Sequence, residues 1–396
     1  MNKRIKRIGS AAIISALIAL YLSFTSVREW RFGVITGAVA FVLMLVLGRT
    51  EDNLFASPCA RSTKGNFDWA THYFRGFAIL CIVMTHWLDI FGSSELSCLF
   101  FKSSTIYFLF ISGYLCQYIY DRKHLGWFDY YQKKVVNVVA PFLICSVATV
   151  LAVLIIGVNR QAVIGANGLL LADLVRLVAT GHAQMPYWYI PFVMVLFLIS
   201  PLLCRISTPG VVAAFVGTFL MAIVFPSRSY DGFVIAFPST FYLYTYFSCY
   251  YVLGFVYCRC KSSIDTFLKN YWWVFVGVAV ITILGGYIRR LQLVDGALRM
   301  SIVRVCTMAV VIPLLNKIAN RRIALLNLLA KYSFTIFFIH AFFLADAVKL
   351  GGFFPRCVPA LAANLILLIG YFVAILVMAV LLKVAFGKNS RMFIGS

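Results

Sequence analysis

"YFRGFAILCIVMTHW" occupies residues 73–87, and its reading decides the fold. The stretch is apolar enough to cross a membrane, yet it opens near Arg75 and closes near His86, ten residues apart. A charge at mid-membrane costs several kcal/mol unless it snorkels or finds partners. On a helix, eleven steps make almost three turns and roughly 16 Å of rise. Both side chains therefore emerge from one face. Asp89, three residues beyond His86, joins that face. One stripe thus carries a basic group, an imidazole about half a bilayer deeper, and a carboxylate able to orient it. Each has a plainer reading: Arg75 as a snorkelling interfacial residue, His86 as a helix-packing hydrogen bonder, Asp89 as a loop residue.

The rest of the chain agrees that the solvent is lipid. Of 396 residues, 62% are apolar and 12% charged, against about a quarter charged in a soluble domain. The surplus lies in charge-free runs: Ile8 to Val27, Phe32 to Gly48, Val135 to Asn159, Leu177 to Cys204, Tyr271 to Ile288 and Cys357 to Leu382. Each approaches the roughly 17–25 residues a spanning helix needs. None alternates as barrel strands do. The fold class is an all-α polytopic membrane protein. About twelve spans are expected, centred near residues 17, 40, 80, 110, 148, 196, 218, 249, 279, 308, 340 and 370.

A net charge of +22 would suit nucleic acid, but its placement argues for a membrane. With both termini cytoplasmic, 22 of the 35 basic residues face the cytoplasm and 11 the outside, with Arg75 and Arg304 inside spans. That is the positive-inside bias. Only the loop carrying Arg289, Arg290 and Arg299 dissents. The first hydrophobic run follows basic residues but is too long for a signal peptide, and reads as a retained anchor. The eleven cysteines have neither metal-ligand spacing nor a disulfide framework and read as small packers. No nucleotide-binding motif appears.

Residues 1–48 read as an N-terminal transmembrane hairpin, 49–67 as a cytoplasmic linker, and 68–396 as a ten-helix membrane body. The outer loop contains "LLLADLVRLVATG", whose apolar spacing predicts a short surface helix. Other polar residues sit inside spans. His340, in "YSFTIFFIHAFF", is expected at a depth close to that of His86, where the two could line one cavity; the alternative is a packing histidine. Arg304 either snorkels to the outer face or faces a substrate. Ser112 and Gly113 in "FLFISGYLC" permit close helix approach. Trp188 and Tyr189 in "MPYWYIPF" suit an interfacial aromatic belt or an acceptor path. A buried imidazole held by a carboxylate is a general base or nucleophile, and a water-poor site favours acyl transfer over hydrolysis. Arg75, Arg122, Lys133 and Lys134 could hold a phosphate-bearing donor; for the three loop residues, setting topology is the plainer role. Coenzyme A, with phosphates at one end and a thioester on a long arm, matches a basic rim and a deep imidazole.

Arginine, ten residues, histidine in "RGFAILCIVMTH" resembles the first core span of the membrane acyltransferase-3 family. "FISGYL", "YYQKKVVNVVAP", "YWYIPFVMVLFLISPLL" and "YSFTIFFIHAFF" resemble later segments of that family, in the same order. The resemblance runs from about Asp68 to the C-terminus. It implies ten core spans, an acyl-CoA co-substrate (usually acetyl-CoA) rather than a resident cofactor, and a cell-surface glycan or lipid-linked sugar as acceptor. It also implies an essential His86, an important Arg75, and residence in a lipid bilayer such as the bacterial inner membrane. The hairpin is outside that common core, and no appended extracytoplasmic domain is expected. Two rival readings use the same residues: a transporter or flippase for a lipid-linked sugar, though internal repeats are missing, and a non-catalytic assembly partner.

Overall fold

The structure is a computed structural model. It describes residues 3–25, 30–47, 67–92, 95–123, 126–156, 170–224, 239–287, 296–321, 323–351 and 360–395. Residues 49–66 of the expected linker and the basic residues Arg49, Arg61, Lys64, Arg160, Arg228, Arg289, Arg290 and Arg356 lie outside the described residues. Among those described, the regular elements are helical. Each of the twelve expected span centres falls within a helix. Among the described residues, eight stretches are long and apolar enough to cross a bilayer, and Gly37–Val46 and Thr208–Val224 are shorter apolar helices. The expected surface helix is α8, Leu170–Thr180.

The chain forms two compact units. The central unit holds residues Asn66–Asp129 and Phe192–Lys331. Its first long helix is α3, Trp69–Phe91. Asp68 starts it by accepting from the Thr71 N–H at 3.0 Å, which satisfies one of the donors every helix N-terminus leaves open. Gly92 stops it at φ 102°, a conformation that suits a residue lacking Cβ. On the buried face, His72 Nε2 meets Asn327 Oδ1 at 3.0 Å and the Tyr73 hydroxyl donates to the Arg321 carbonyl at 2.7 Å. Gly76 is required there: a Cβ would stand 2.6 Å from the Leu326 carbonyl oxygen. The glycine beside Arg75 thus brings in α14, Ala324–Gly351.

The tightest crossing in this unit joins α5, Thr105–Lys123, to α11, Ser239–Arg259. A Cβ on Gly254 would lie 2.6 Å from the Tyr114 nitrogen, and one on Gly113 would run into the Tyr251 carbonyl oxygen. Small residues let two backbones touch where lipid gives no hydrophobic drive for association. Arg259 then staples the end of α9, Tyr189–Arg205, donating to the carbonyls of Leu203 and Cys204 at 3.0 Å each and to Gln117 Oε1. On α12, Lys261–Tyr287, large apolar side chains such as Phe267, Trp272, Trp273 and Ile281 stay exposed. That surface is one a bilayer covers.

The terminal unit holds Met1–Gly65, Tyr130–Pro191 and Tyr332–Ser396. Here α1, Lys3–Thr25, and α2, Trp30–Leu47, pack against each other. Gly37 allows the approach, since a Cβ would lie 2.6 Å from the Ser15 carbonyl oxygen. The hairpin packs on α15, Ala360–Phe386, through Ala11, Ile14, Met44 and Ala385. After α15 the chain folds back into α16, Ser390–Ile394, burying Ser390, Phe393 and Ile394. The Thr335 hydroxyl donates to the Ile394 carbonyl at 3.1 Å, and Lys383 donates to the Ser390 hydroxyl at 2.6 Å. The "YYQKKVVNVVAP" stretch forms α6, Trp127–Lys134, a π-helical turn Val135–Val139 and α7, Ala140–Ile156.

Candidate active site

The central unit carries the stripe read from the sequence. Residues 69–91 form one unbroken helix, so the eleven steps from Arg75 to His86 correspond to roughly 16 Å of rise on nearly the same azimuth. Both residues are half-buried, and Nδ1 of His86 is sealed from the surface. Asp89 is exposed, and its charge acts on the His86 ring. The geometry therefore brings Arg75, His86 and Asp89 onto one element.

Arg304 is the clearest finding. It lies on α13, Gly296–Ile318, and is 0% exposed, among the largest fully buried side chains. It does not snorkel. Its charge acts on Cys81 of α3, Tyr107 of α5 and Tyr250 of α11. One turn earlier on α13, Ser301 donates to the Tyr246 hydroxyl at 2.8 Å. An arginine keeps its charge at any pH in a protein, so this unit holds a permanent buried cation that acts on the Tyr107 and Tyr250 hydroxyls. Cys81 stands five residues before His86 on the same helix, about 140° round it. Sequence reasoning named Arg304 but not Tyr107, Tyr246, Tyr250 or Ser301. Tyrosines inside an apolar run give no signal of which hydroxyls converge.

A second cluster, also missed, closes the start of α3. Asp68 Oδ2 receives the Tyr114 hydroxyl at 2.5 Å and Lys261 Nζ at 3.1 Å. Lys261 also lies 5.2 Å from the Tyr114 ring centre and 5.0 Å from that of Tyr257, within cation–π range. Burial pushes the Asp68 carboxyl up; Lys261, the Tyr114 hydroxyl and the Thr71 N–H outweigh it and hold it below the ordinary 3.8.

The remaining expected residues are placed as follows. Arg122 is exposed, with its guanidinium 4.6 Å from the Tyr118 ring centre. Lys133 is exposed, and Lys134 lies 5.3 Å from the Tyr130 ring centre. Both lysines belong to the terminal unit, as do Trp188, Tyr189 and His340. Trp188 ends the 3-10 turn Met185–Trp188 and is half-buried. Tyr189 is buried and meets Phe337 edge-on at 5.8 Å, so it packs inside the protein rather than in a lipid-facing belt. His340 is fully buried. Its Nδ1 meets the carbonyls of Ile336 and Phe337 at 3.0 and 2.9 Å. Carbonyls only accept, so Nδ1 carries the hydrogen and Nε2 is the basic nitrogen.

Residues 68–386 match the profile of the acyltransferase-3 family, described as an acyltransferase domain. The chain belongs to this family. The match begins at Asp68, the N-cap of α3, and ends at Phe386, the last residue of α15. The acyltransferase thus keeps α1, α2 and α16 outside the family segment. Neither curated proteins nor solved structures give a match to the chain. Its apolar helices and its family together make it an integral-membrane acyltransferase.

Proposed function

We propose that this acyltransferase moves an acyl group, acetyl in the first instance, from cytoplasmic acyl-CoA to a hydroxyl of a cell-surface glycan or lipid-linked sugar. The observation that carries the reading is the stripe on α3: Arg75 and His86 share one face of one continuous helix. A pantetheine arm is long and thin, and about 16 Å is a distance it can span. Arg75 sits where it can bind a donor phosphate; Arg122, Lys133 and Lys134 add cationic surface that draws the donor in.

In this reading His86 accepts the acceptor hydroxyl's proton as the oxygen attacks the thioester carbonyl. The carbon–oxygen bond forms, the carbon–sulfur bond breaks, and the departing thiolate takes back the proton held on His86, leaving as free coenzyme A thiol and restoring the neutral imidazole. Asp89 favours the protonated imidazole that this step creates. Arg304 binds the electron-rich substrate oxygen, as a preorganised buried cation does. Trp188, Tyr189 and His340 serve the acceptor. The protein would work in a membrane such as the bacterial inner membrane with both termini cytoplasmic, as the distribution of basic residues indicates.

The test uses purified protein in liposomes with acetyl-CoA and a glycan acceptor. Release of free thiol, dependent on acceptor, is expected from the parent and not from His86→Ala at equal folded amount. Full thiol release by His86→Ala refutes the role. Acceptor movement without any thiol release identifies a transporter instead.

A further inference from the structure

The terminal unit contains a pocket of about 430 Å³ whose wall the catalytic reading uses only at Lys133. On one side it is lined by Gln132 and Lys133 of α6 and by Asn137 of the π-helical turn. On the other stand Lys388, Asn389 and Arg391, from the end of the chain where it turns back. Val136 and Met392 contribute the apolar part of the wall. Ligand pockets commonly occupy roughly 300–1,000 Å³.

The chemistry of the wall is one-sided. It offers three cations and three carboxamides, and among the described lining residues none is acidic. Along the sequence, the nearest acid on α6 is Asp129, four residues before Lys133, and no Asp or Glu follows Asp346. Lysine and arginine donors with amide N–H₂ groups beside them suit the oxygens of a phosphate. The cavity is also built. α16 is held by the buried Phe393 and Ile394 and by the Thr335 and Lys383 hydrogen bonds, which fixes the backbone carrying Lys388 and Arg391. The π turn, a local widening often found at functional positions, carries Asn137 to the opposite wall.

We propose that this cavity is a binding site for a phosphate-bearing ligand, gripped by Lys133, Lys388 and Arg391. Lys388 and Arg391 lie beyond residue 386, where the family segment ends, so half of the site belongs to this chain's own C-terminal turn. Two sources carry that chemistry to a cytoplasmic membrane edge: the nucleotide phosphates of an acyl-CoA donor, which rests on the function proposed above, and the headgroup of an anionic phospholipid.

The full-length protein in phosphatidylcholine nanodiscs separates them. Coenzyme A binding is measured by calorimetry, and co-purified phosphatidylglycerol by native mass spectrometry. The Lys388→Gln/Arg391→Gln pair is expected to weaken one of the two at least about tenfold, while the exposed Lys269→Gln changes neither. Loss of coenzyme A binding alone assigns the donor; loss of phosphatidylglycerol alone assigns the lipid. The charge-preserving Lys388→Arg/Arg391→Lys pair should restore whichever is lost. Unchanged binding of both ligands, with an unchanged unfolding temperature, overturns the inference. The result is independent of His86: His86→Ala should bind as the parent does, and failure of the acyl-transfer test leaves this measurement intact.

Discussion

Lys261 Nζ lies 3.1 Å from Asp68 Oδ2, joining residues 193 positions apart at the point where the family segment begins. Both side chains are less than a third exposed. Removing one partner takes from the other, half-buried group its closest opposite charge while its remaining hydrogen bonds stay, at a cost of about 1–3 kcal/mol. Asp68→Asn and Lys261→Met should each lower the unfolding temperature in detergent. The double variant should cost less than the sum of the two; strict additivity would show that the pair contributes nothing.

Acid should spare this pair until late. The folded Asp68 carboxyl is held below its ordinary 3.8. A carboxyl depressed on folding stabilises fully above its unfolded value and loses that contribution as pH falls through the folded one. The stability difference between parent and Asp68→Asn should therefore stay level from about pH 8 to 5. It should shrink only below 3.8. A difference that vanishes by pH 5 contradicts the placement of Lys261.

Gly113 and Gly254 should tolerate no side chain. Each Cβ would meet backbone of the facing helix, which cannot swing aside as a flexible side chain can. Gly113→Ala or Gly254→Ala should cost about 1–3 kcal/mol by overpacking, read as a lower melting temperature and poorer yield. Gly217→Ala, on α10 (Thr208–Val224) with open space around it, should match the parent.

Arg304 offers a sharper separation of stability from chemistry. A buried cation replaced by an apolar group of similar length is often neutral or stabilising. Arg304→Met should therefore fold with an unchanged or higher melting temperature, while thiol release falls at least about a hundredfold. Arg304→Lys keeps the charge but loses the planar fork and should fall in between. A folded Arg304→Met variant with parental turnover removes Arg304 from the site.

Deleting residues 1–48 tests what the hairpin does. Its removal uncovers the α15 face around Ala385, Leu381, Leu382 and Phe386. Extracted protein should aggregate more and melt lower, yet the family segment 68–386 should retain thiol release per folded molecule. Complete loss of turnover in soluble, monodisperse protein would make the hairpin part of the catalytic apparatus.

Much of this was legible because lipid simplifies the code. Six charge-free runs of spanning length lie over helices, every expected centre falls within one, and the Ser112–Gly113 pair marked a close crossing that Gly113 does make. The eleven-residue interval placed Arg75 and His86 on one face because helical geometry is local. What stayed hidden is long-range. Nothing near Lys261 in sequence points to Asp68. Burial of Arg304 depends on which way α13 turns, and an arginine near the end of an apolar run can equally reach the interface. Tyr189 has the composition of an interfacial belt but packs on Phe337, since a tyrosine inside a bundle and one at the headgroups are the same residue in a one-dimensional pattern. The return of α16 is held in part by the Ile394 carbonyl and the Ser390 hydroxyl, which have no hydropathy signature.

The π turn at Val135–Val139 couples two surfaces by phase. It accommodates one residue more per closed ring than an α-helical turn does. Excising one of its valines would let the chain run on as ordinary α-helix, and everything before the cut would rotate by about 100° relative to α7. Lys133 would then swing away from Lys388 and Arg391, with the composition of the cationic wall and the membrane-embedded helix both left as they are. A single deleted valine is thus a way to disassemble the anion cradle without removing any charge.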